Sequence, residues 1–356
     1  MVDVVLMGWE RMPPSRLMSI WSSQPSGPAV AWTGQEVLVV DVFDILMSGE
    51  IRRGSKAFDP ATRQWRALRD PPTSDALWGS GFWAGKEMLI WRPSCNDPRQ
   101  RGLAYDLETD DWRFLPPGPI SDDGGEAVWV SGKMFVWGGS WREFGRCGND
   151  AAFYDPVADS WASLPPAPIS PRTASAVATD GKRFFVWGGK VSQFVAASDG
   201  AIHDPDEGDW RLTGEAPLPT RFEATAVWTG KEFIVWDGVH PTSKGGRRKR
   251  DGAAWDPSGS TWRRIAAAPT GRGGSVVWAG DEMLVYPAGR EYEPGGACLG
   301  YRPEPDEWEW VPDNGATPTG PSVWTGTELY AWVANDPRHD LAVYRPEQVE
   351  GDQSLV

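Results

Sequence analysis

The stretch Thr173–Gly189, TASAVATDGKRFFVWGG, decides the fold. It reads as a short apolar strand, an Asp180-Gly181 turn that tolerates positive φ, and a second strand, Phe184-Phe185-Val186-Trp187, together forming a β-hairpin. The turn glycine recurs. Hydrophobic stretches end at Gly34, Gly85, Gly132, Gly181, Gly230, Gly280 and Gly326, spaced 51, 47, 49, 49, 50 and 46 residues apart. After each of the first six comes a second signature: an aromatic residue or His, usually Asp-Pro, and a Trp six residues beyond the Asp position. Examples are Phe58-Asp59-Pro60 with Trp65, Tyr154-Asp155-Pro156 with Trp161, and His203-Asp204-Pro205 with Trp210. A period near 50 made of short strands and turns predicts a propeller array, and seven units of about 49 residues use almost all of the 356.

Each unit predicts one four-stranded antiparallel blade. The hairpin is followed by a long Gly- and Ser-bearing loop, then by a third strand ending at the aromatic-Asp-Pro turn, where proline fixes φ and cannot donate to a ladder. The Trp opens the fourth strand. Blades are expected over 27–69, 76–115, 124–164, 172–213, 221–265, 272–311 and 319–349. The last unit runs out at Tyr344-Arg345-Pro346, with Gly351 where its Trp should stand. The N-terminus supplies the missing strand, over 3–12: Trp9-Glu10-Arg11-Met12-Pro13-Pro14 matches Trp161-Ala162-Ser163-Leu164-Pro165-Pro166. The expected fold is all-β, a single-domain seven-bladed β-propeller over 1–356, closed by pairing of the N-terminal strand with the last blade. Closure removes an edge that would otherwise invite aggregation.

Composition agrees. Mean hydropathy is −0.44, and no apolar run approaches the roughly 18 to 20 residues that span a bilayer. Residues Met1 to Met7 lack the basic and apolar regions of a signal peptide and read as strand. Three cysteines, Cys95, Cys147 and Cys298, form an odd set without C-x-x-C spacing, which favours a reducing compartment. The expectation is a cytoplasmic monomer with no membrane association; an extracellular location follows only if a longer start carries a signal peptide.

The residues resemble a known family. Gly138-Gly139 and Gly188-Gly189 follow apolar strands, Tyr154 lies 16 residues after Gly138, and Trp161 lies seven later, a pattern similar to the kelch repeat. Val227 to Glu232, VWTGKE, is similar to bacterial kelch-repeat proteins. The glycine pair becomes Arg92-Pro93, Asp237-Gly238, Pro287-Ala288 or Ala334-Asn335 in other units. The resemblance implies the propeller strongly and function weakly, since kelch propellers include protein-binding adaptors, sugar-related enzymes and copper oxidases.

Of the 23 tryptophans, 19 recur at strand positions and are expected to pack between blades. Trp310 shares a strand with Trp308, and Trp21, Trp78 and Trp141 lie in loops. In a four-stranded blade the connections from strand two to three, and from strand four to the next blade, share one face. Those loops are long and differ in every unit, as binding loops on a rigid scaffold do. The three loop tryptophans either cap the core locally or offer stacking surfaces for a sugar ring or an apolar side chain. The chain carries −14 overall, yet the seven second-to-third-strand loops (41–54, 92–102, 140–150, 190–200, 237–251, 287–297, 334–341) sum to +2, leaving −16 elsewhere. Arg172, Arg221 and Arg272 stand at nearly equal distances before Gly181, Gly230 and Gly280. They either aim at the ring mouth, where a guanidinium suits a carboxylate, or pair with acidic neighbours in the ring.

The run Gly245-Gly246-Arg247-Arg248-Lys249-Arg250 is the strongest charge cluster. It is short and set in an acidic chain, so a solvated loop is expected and a nucleic-acid partner is not, because that would need a wider basic surface. Catalytic motifs are absent from the sequence: the Gly-Lys pairs are hairpin turns without a following Ser or Thr, and no G-x-S-x-G, H-E-x-x-H or G-x-G-x-x-G occurs. Of three histidines, His203 holds an aromatic repeat position, leaving His240 and His339 on the loop face. The family's copper oxidases need two His and two Tyr, one linked to Cys, a constellation this sequence does not show; no metal and no cofactor are expected. Two readings remain, with no catalytic residue assigned. One is a non-enzymatic propeller binding an acidic protein segment or a carbohydrate-like ligand through Arg172, Arg221, Arg272, Trp21, Trp78 and Trp141. The other is a sugar-modifying enzyme, an epimerase, lyase or hydrolase, with carboxylates and arginines in the central funnel.

Overall fold

All seven repeat glycines adopt left-handed backbone, with φ between +75° and +105°. An added Cβ would meet nothing within 4 Å at Gly34, Gly85, Gly132, Gly181, Gly230 and Gly326, so the conformation and not the space selects glycine there. These turns close the first hairpin of every blade. The computed structural model describes residues 8–15, 28–45, 51–72, 79–92, 101–120, 123–141, 146–192, 194–242, 245–271, 274–286, 298–312, 314, 316–333 and 341–346.

Within them the chain forms seven four-stranded antiparallel blades with strands in sequence order. Their first strands are Ala29–Trp32, Ser80–Trp83, Asp123–Val130, Ala176–Thr179, Thr225–Trp228, Ser275–Ala279 and Ser322–Trp324. Each neighbours the first strands of the blades on either side, blade seven meeting blade one, so the seven ring an axial channel. The fourth strand of blade seven comes from the N-terminus. Trp9–Arg11 runs antiparallel to Leu341–Tyr344, with Trp9 opposite Tyr344 and Arg11 opposite Ala342. Among the described residues no helix is long and apolar enough to cross a membrane.

The core lies between blades. Seven buried apolar clusters each draw on two adjacent blades, the one joining blade seven to blade one containing Met12, Val37, Phe58, Tyr330 and Trp332. The second-strand tryptophans Trp91, Trp137, Trp187, Trp236 and Trp332 are buried. The fourth-strand tryptophans do a second job: their indole N–H groups donate to carbonyls of the segment leaving the preceding blade. The pairs are Trp65 to Pro13, Trp112 to Arg69, Trp161 to Pro116, Trp210 to Pro165, Trp262 to Thr213 and Trp308 to Ala266, all at 2.8–3.0 Å. A repeated Trp thus supplies apolar area at every junction and one directed bond at six of the seven, the buried Trp9 indole N–H having no partner among the described residues.

Candidate functional site

The loop face is built on two buried arginines. Arg172 leads into blade four, and its main-chain N–H donates to the Gly148 carbonyl of blade three at 3.2 Å. Its guanidinium reaches the other way, donating to the Gly188 carbonyl at 3.2 Å and to Asp199 Oδ1 at 2.7 Å, both in blade four. Arg221 repeats the device one blade on. Its N–H donates to the Ala197 carbonyl of blade four, its carbonyl accepts from Gly189 N–H, and its guanidinium donates to the Asp237 and Asp251 carbonyls and to Asp251 Oδ1. Both side chains are 0 % exposed. Neither faces the ring mouth; pairing with an acidic neighbour, the second of the two sequence readings, is what these residues show. They are struts that lock each lead-in to two blades.

The glycine pair follows from that close approach. A Cβ on Gly188 would stand 2.9 Å from the Arg221 carbonyl oxygen, and one on Gly189 3.0 Å from the Thr173 carbonyl. In blade five the first glycine is replaced by Asp237, which keeps the left-handed backbone at φ +62°. Its side chain is buried, and burial pushes its carboxyl above the usual range against the opposing Arg248 charge. Arg248 Nη1 donates to Asp237 Oδ2 at 2.6 Å, and Nη2 lies 3.3 Å from Glu223 Oε2.

On these struts stand loop-face hairpins. Blade four carries Lys190–Ser192 paired with Val195–Ala196, and blade five carries Val239–Thr242 paired with Gly245–Arg248. In blade three Arg146–Cys147 folds back on the end of Lys133–Trp141. The three lie side by side. The basic run is therefore half strand, not a simple loop: Arg248 is tied inward, while Arg247 projects into solvent with no partner among the described residues. The tip beside it in blade four exposes Phe194 and Val195 at 72 % and 53 %.

The channel contributes one further group. Glu126 lies on the first strand of blade three opposite Trp137, at the loop-face end. Glu126 is exposed, and desolvation by the protein around it raises its carboxyl above the ordinary range. Two signals for these groups were present in the sequence: a charge inside an otherwise apolar inner strand, and two bulky apolar residues in a loop.

The remaining sequence candidates are less defined. Trp141 ends the long second strand of blade three opposite Arg146, which places its backbone in the hairpin row. Trp21, Trp78, Arg272 and His339 lie outside the described residues. His240 Nδ1 sits 2.7 Å from the Thr220 carbonyl oxygen. Among the described residues no group of three or more His, Cys, Asp or Glu is placed to hold a metal ion.

A family model described as the KLHDC2/KLHL20/DRC7 Kelch-repeats domain matches residues 124–329. The solved "Structure of YjhT" is similar with a TM-score of 0.60 and 13% identity, covering 84% of this chain and 100% of that one. At that identity the likeness speaks for the fold alone. Comparison with curated proteins gives no match.

Proposed function

The chain belongs to the kelch-repeat propellers, and from that premise we propose that it is a binding module that captures an acidic segment of a partner protein on the loop face of blades four and five. One observation carries the reading: an exposed apolar tip, Phe194-Val195, stands next to a hairpin that presents Arg247, with Lys249 and Arg250 continuing it. The juxtaposition suits a segment that offers a bulky apolar residue flanked by carboxylates. Apolar burial would supply affinity, and the cations register and on-rate. Arg172 and Arg221 support this role from beneath, because a platform fixed before binding has less entropy to lose.

The test is fluorescence anisotropy with labelled acidic peptides that carry one central Phe or Leu. Phe194→Ala is expected to weaken binding about tenfold, roughly 1.4 kcal/mol. Arg247→Ala should weaken it less and flatten its salt dependence. Affinity indifferent to both substitutions would refute the site. The sugar-modifying alternative has Glu126 in the funnel, but Arg172 and Arg221 are spent on carbonyls and carboxylates of the ring.

A further inference from the structure

Trp310 is the one exposed tryptophan among the described residues, 56 % open, and it lies in the outer strand of blade six, Glu307–Val311. That strand pairs with Cys298–Arg302 on one side and ends the sheet order on the other, so among the described residues no strand covers its outer edge. Side chains alternate between the two faces of a strand. Trp308 and Trp310 share one face: Trp308 packs 5.4 Å from Trp236 of blade five and donates its indole N–H to the Ala266 carbonyl, whereas Trp310 has neither a ring contact nor a hydrogen bond among the described residues. Glu307 and Glu309 share the other face, and both are exposed. No other blade has this combination. The outer strand of blade six carries two carboxylates and no cation, while each of the other six fourth strands sums to zero or to a positive charge.

We infer that the outer edge of blade six is a docking site for an extended basic segment of a partner protein, which adds to the blade as a fifth strand. Three features select that occupant. The open edge offers main-chain hydrogen bonds, the usual source of affinity when a strand is added to a sheet. Glu307 and Glu309 suit Lys or Arg at alternate positions of the added strand, because opposite charges across a ladder stabilise the pairing; Arg302, 3.4 Å from Glu309, offsets only part of their charge. On the reverse face Trp310 receives the apolar residue that stands between two cations. The same carboxylates act against a second copy of this chain, since two such edges side by side would bring glutamates against glutamates. The site is on the perimeter and takes a basic partner, so it stands or falls separately from the acidic-segment site on blades four and five.

The experiment measures fluorescence anisotropy with the labelled peptide Lys-Val-Lys-Val-Lys-Val-Lys, beside backbone hydrogen exchange of the protein. Expected are saturable binding, slower exchange of the amides within 307–311, and affinity about tenfold weaker for Trp310→Ala, for Glu309→Lys and for the same peptide with its backbone N-methylated. Glu207→Lys makes the same charge change in an exposed turn of blade four and should alter affinity by no more than about twofold. No saturable binding, equal losses in Glu309→Lys and Glu207→Lys, undiminished binding of the N-methylated peptide, or unchanged exchange at 307–311 would overturn the site. Protection of 307–311 that rises with protein concentration in the absence of peptide would give the edge to a second copy and overturn the basic occupant. Glu309 and Trp310 are both exposed, so their variants keep the fold and a loss of affinity reads directly.

Discussion

His203 occupies the repeat position that Tyr105, Tyr154 and Tyr301 hold in other blades, and is fully buried. Its ring packs 4.9 Å from Trp210 and 6.1 Å from Phe153, and neither nitrogen has a hydrogen-bond partner. Burial pushes its pKa below 6.5, although Asp204 and Asp209 pull the other way. The folded value therefore lies below that of the unfolded chain. Stability from this neutral imidazole is fully present above about pH 6.5 and falls as pH drops toward the folded pKa, because the unfolded chain takes the proton first, at up to about 1.4 kcal/mol per pH unit. Urea denaturation at pH 7.5 and 5.5 should show wild type losing more stability than His203→Phe; equal losses would refute the assignment. Arg172 shows the limit of reading single residues. Its place before blade four was legible, but the direction of its guanidinium was set by Asp199, 27 positions later, just ahead of the third strand Gly200–Asp204.

At the scale of the element, the Asp-Pro turn is a unit whose parts vary together. Asp59 Oδ1 accepts the Ala61 and Thr62 N–H groups, and Asp106 and Asp155 do the same in their blades. The residue that ends each turn has positive φ: Arg63, Asp110, Asp159, Gly208, Ser260 and Asp306. In the first six blades, where the strand carries Tyr, that residue is Asp and the two bond, Tyr105 to Asp110, Tyr154 to Asp159 and Tyr301 to Asp306, at 2.5–2.6 Å; in blade seven Tyr344 bonds Glu282 instead. Where it carries Phe58, His203 or Trp255, the turn ends in Arg, Gly or Ser. A double-mutant cycle of Tyr154→Phe and Asp159→Ala, followed by chemical denaturation, should give a coupling of about 1 kcal/mol, modest because Asp159 is half exposed. Additive effects would show that the bond contributes nothing. Both halves of this pairing were readable by aligning the repeats against each other, since the turn is local.

For the whole molecule the decisive contact is the junction of its ends. Trp9 and Met12 are buried, and Glu10 bridges Arg345 at 2.5 Å and Arg63 at 3.0 Å, joining blade seven to blade one. Deleting residues 1–12 would strip Leu341–Tyr344 of its partner and empty the space of two large side chains. Loss of at least about 5 kcal/mol and a fall in Tm of 10 °C or more are expected, with concentration-dependent association from the bare edge. Calorimetry and light scattering check both, and an unchanged Tm would refute the closure. The sequence by itself determined blade number, strand order, turn chemistry and this closure. Blade number, strand order and turn chemistry are written locally and recur from unit to unit, so neighbouring units corroborate one another; the closure is legible because the N-terminal segment matches the strand that the last unit lacks. Only the tertiary structure decided that Arg172 and Arg221 turn inward and that Phe194 stands beside the Arg247 hairpin. Those facts depend on which blades become neighbours and how their loops meet. A period of 50 fixes the ring, but not the contacts among loops that differ in every unit.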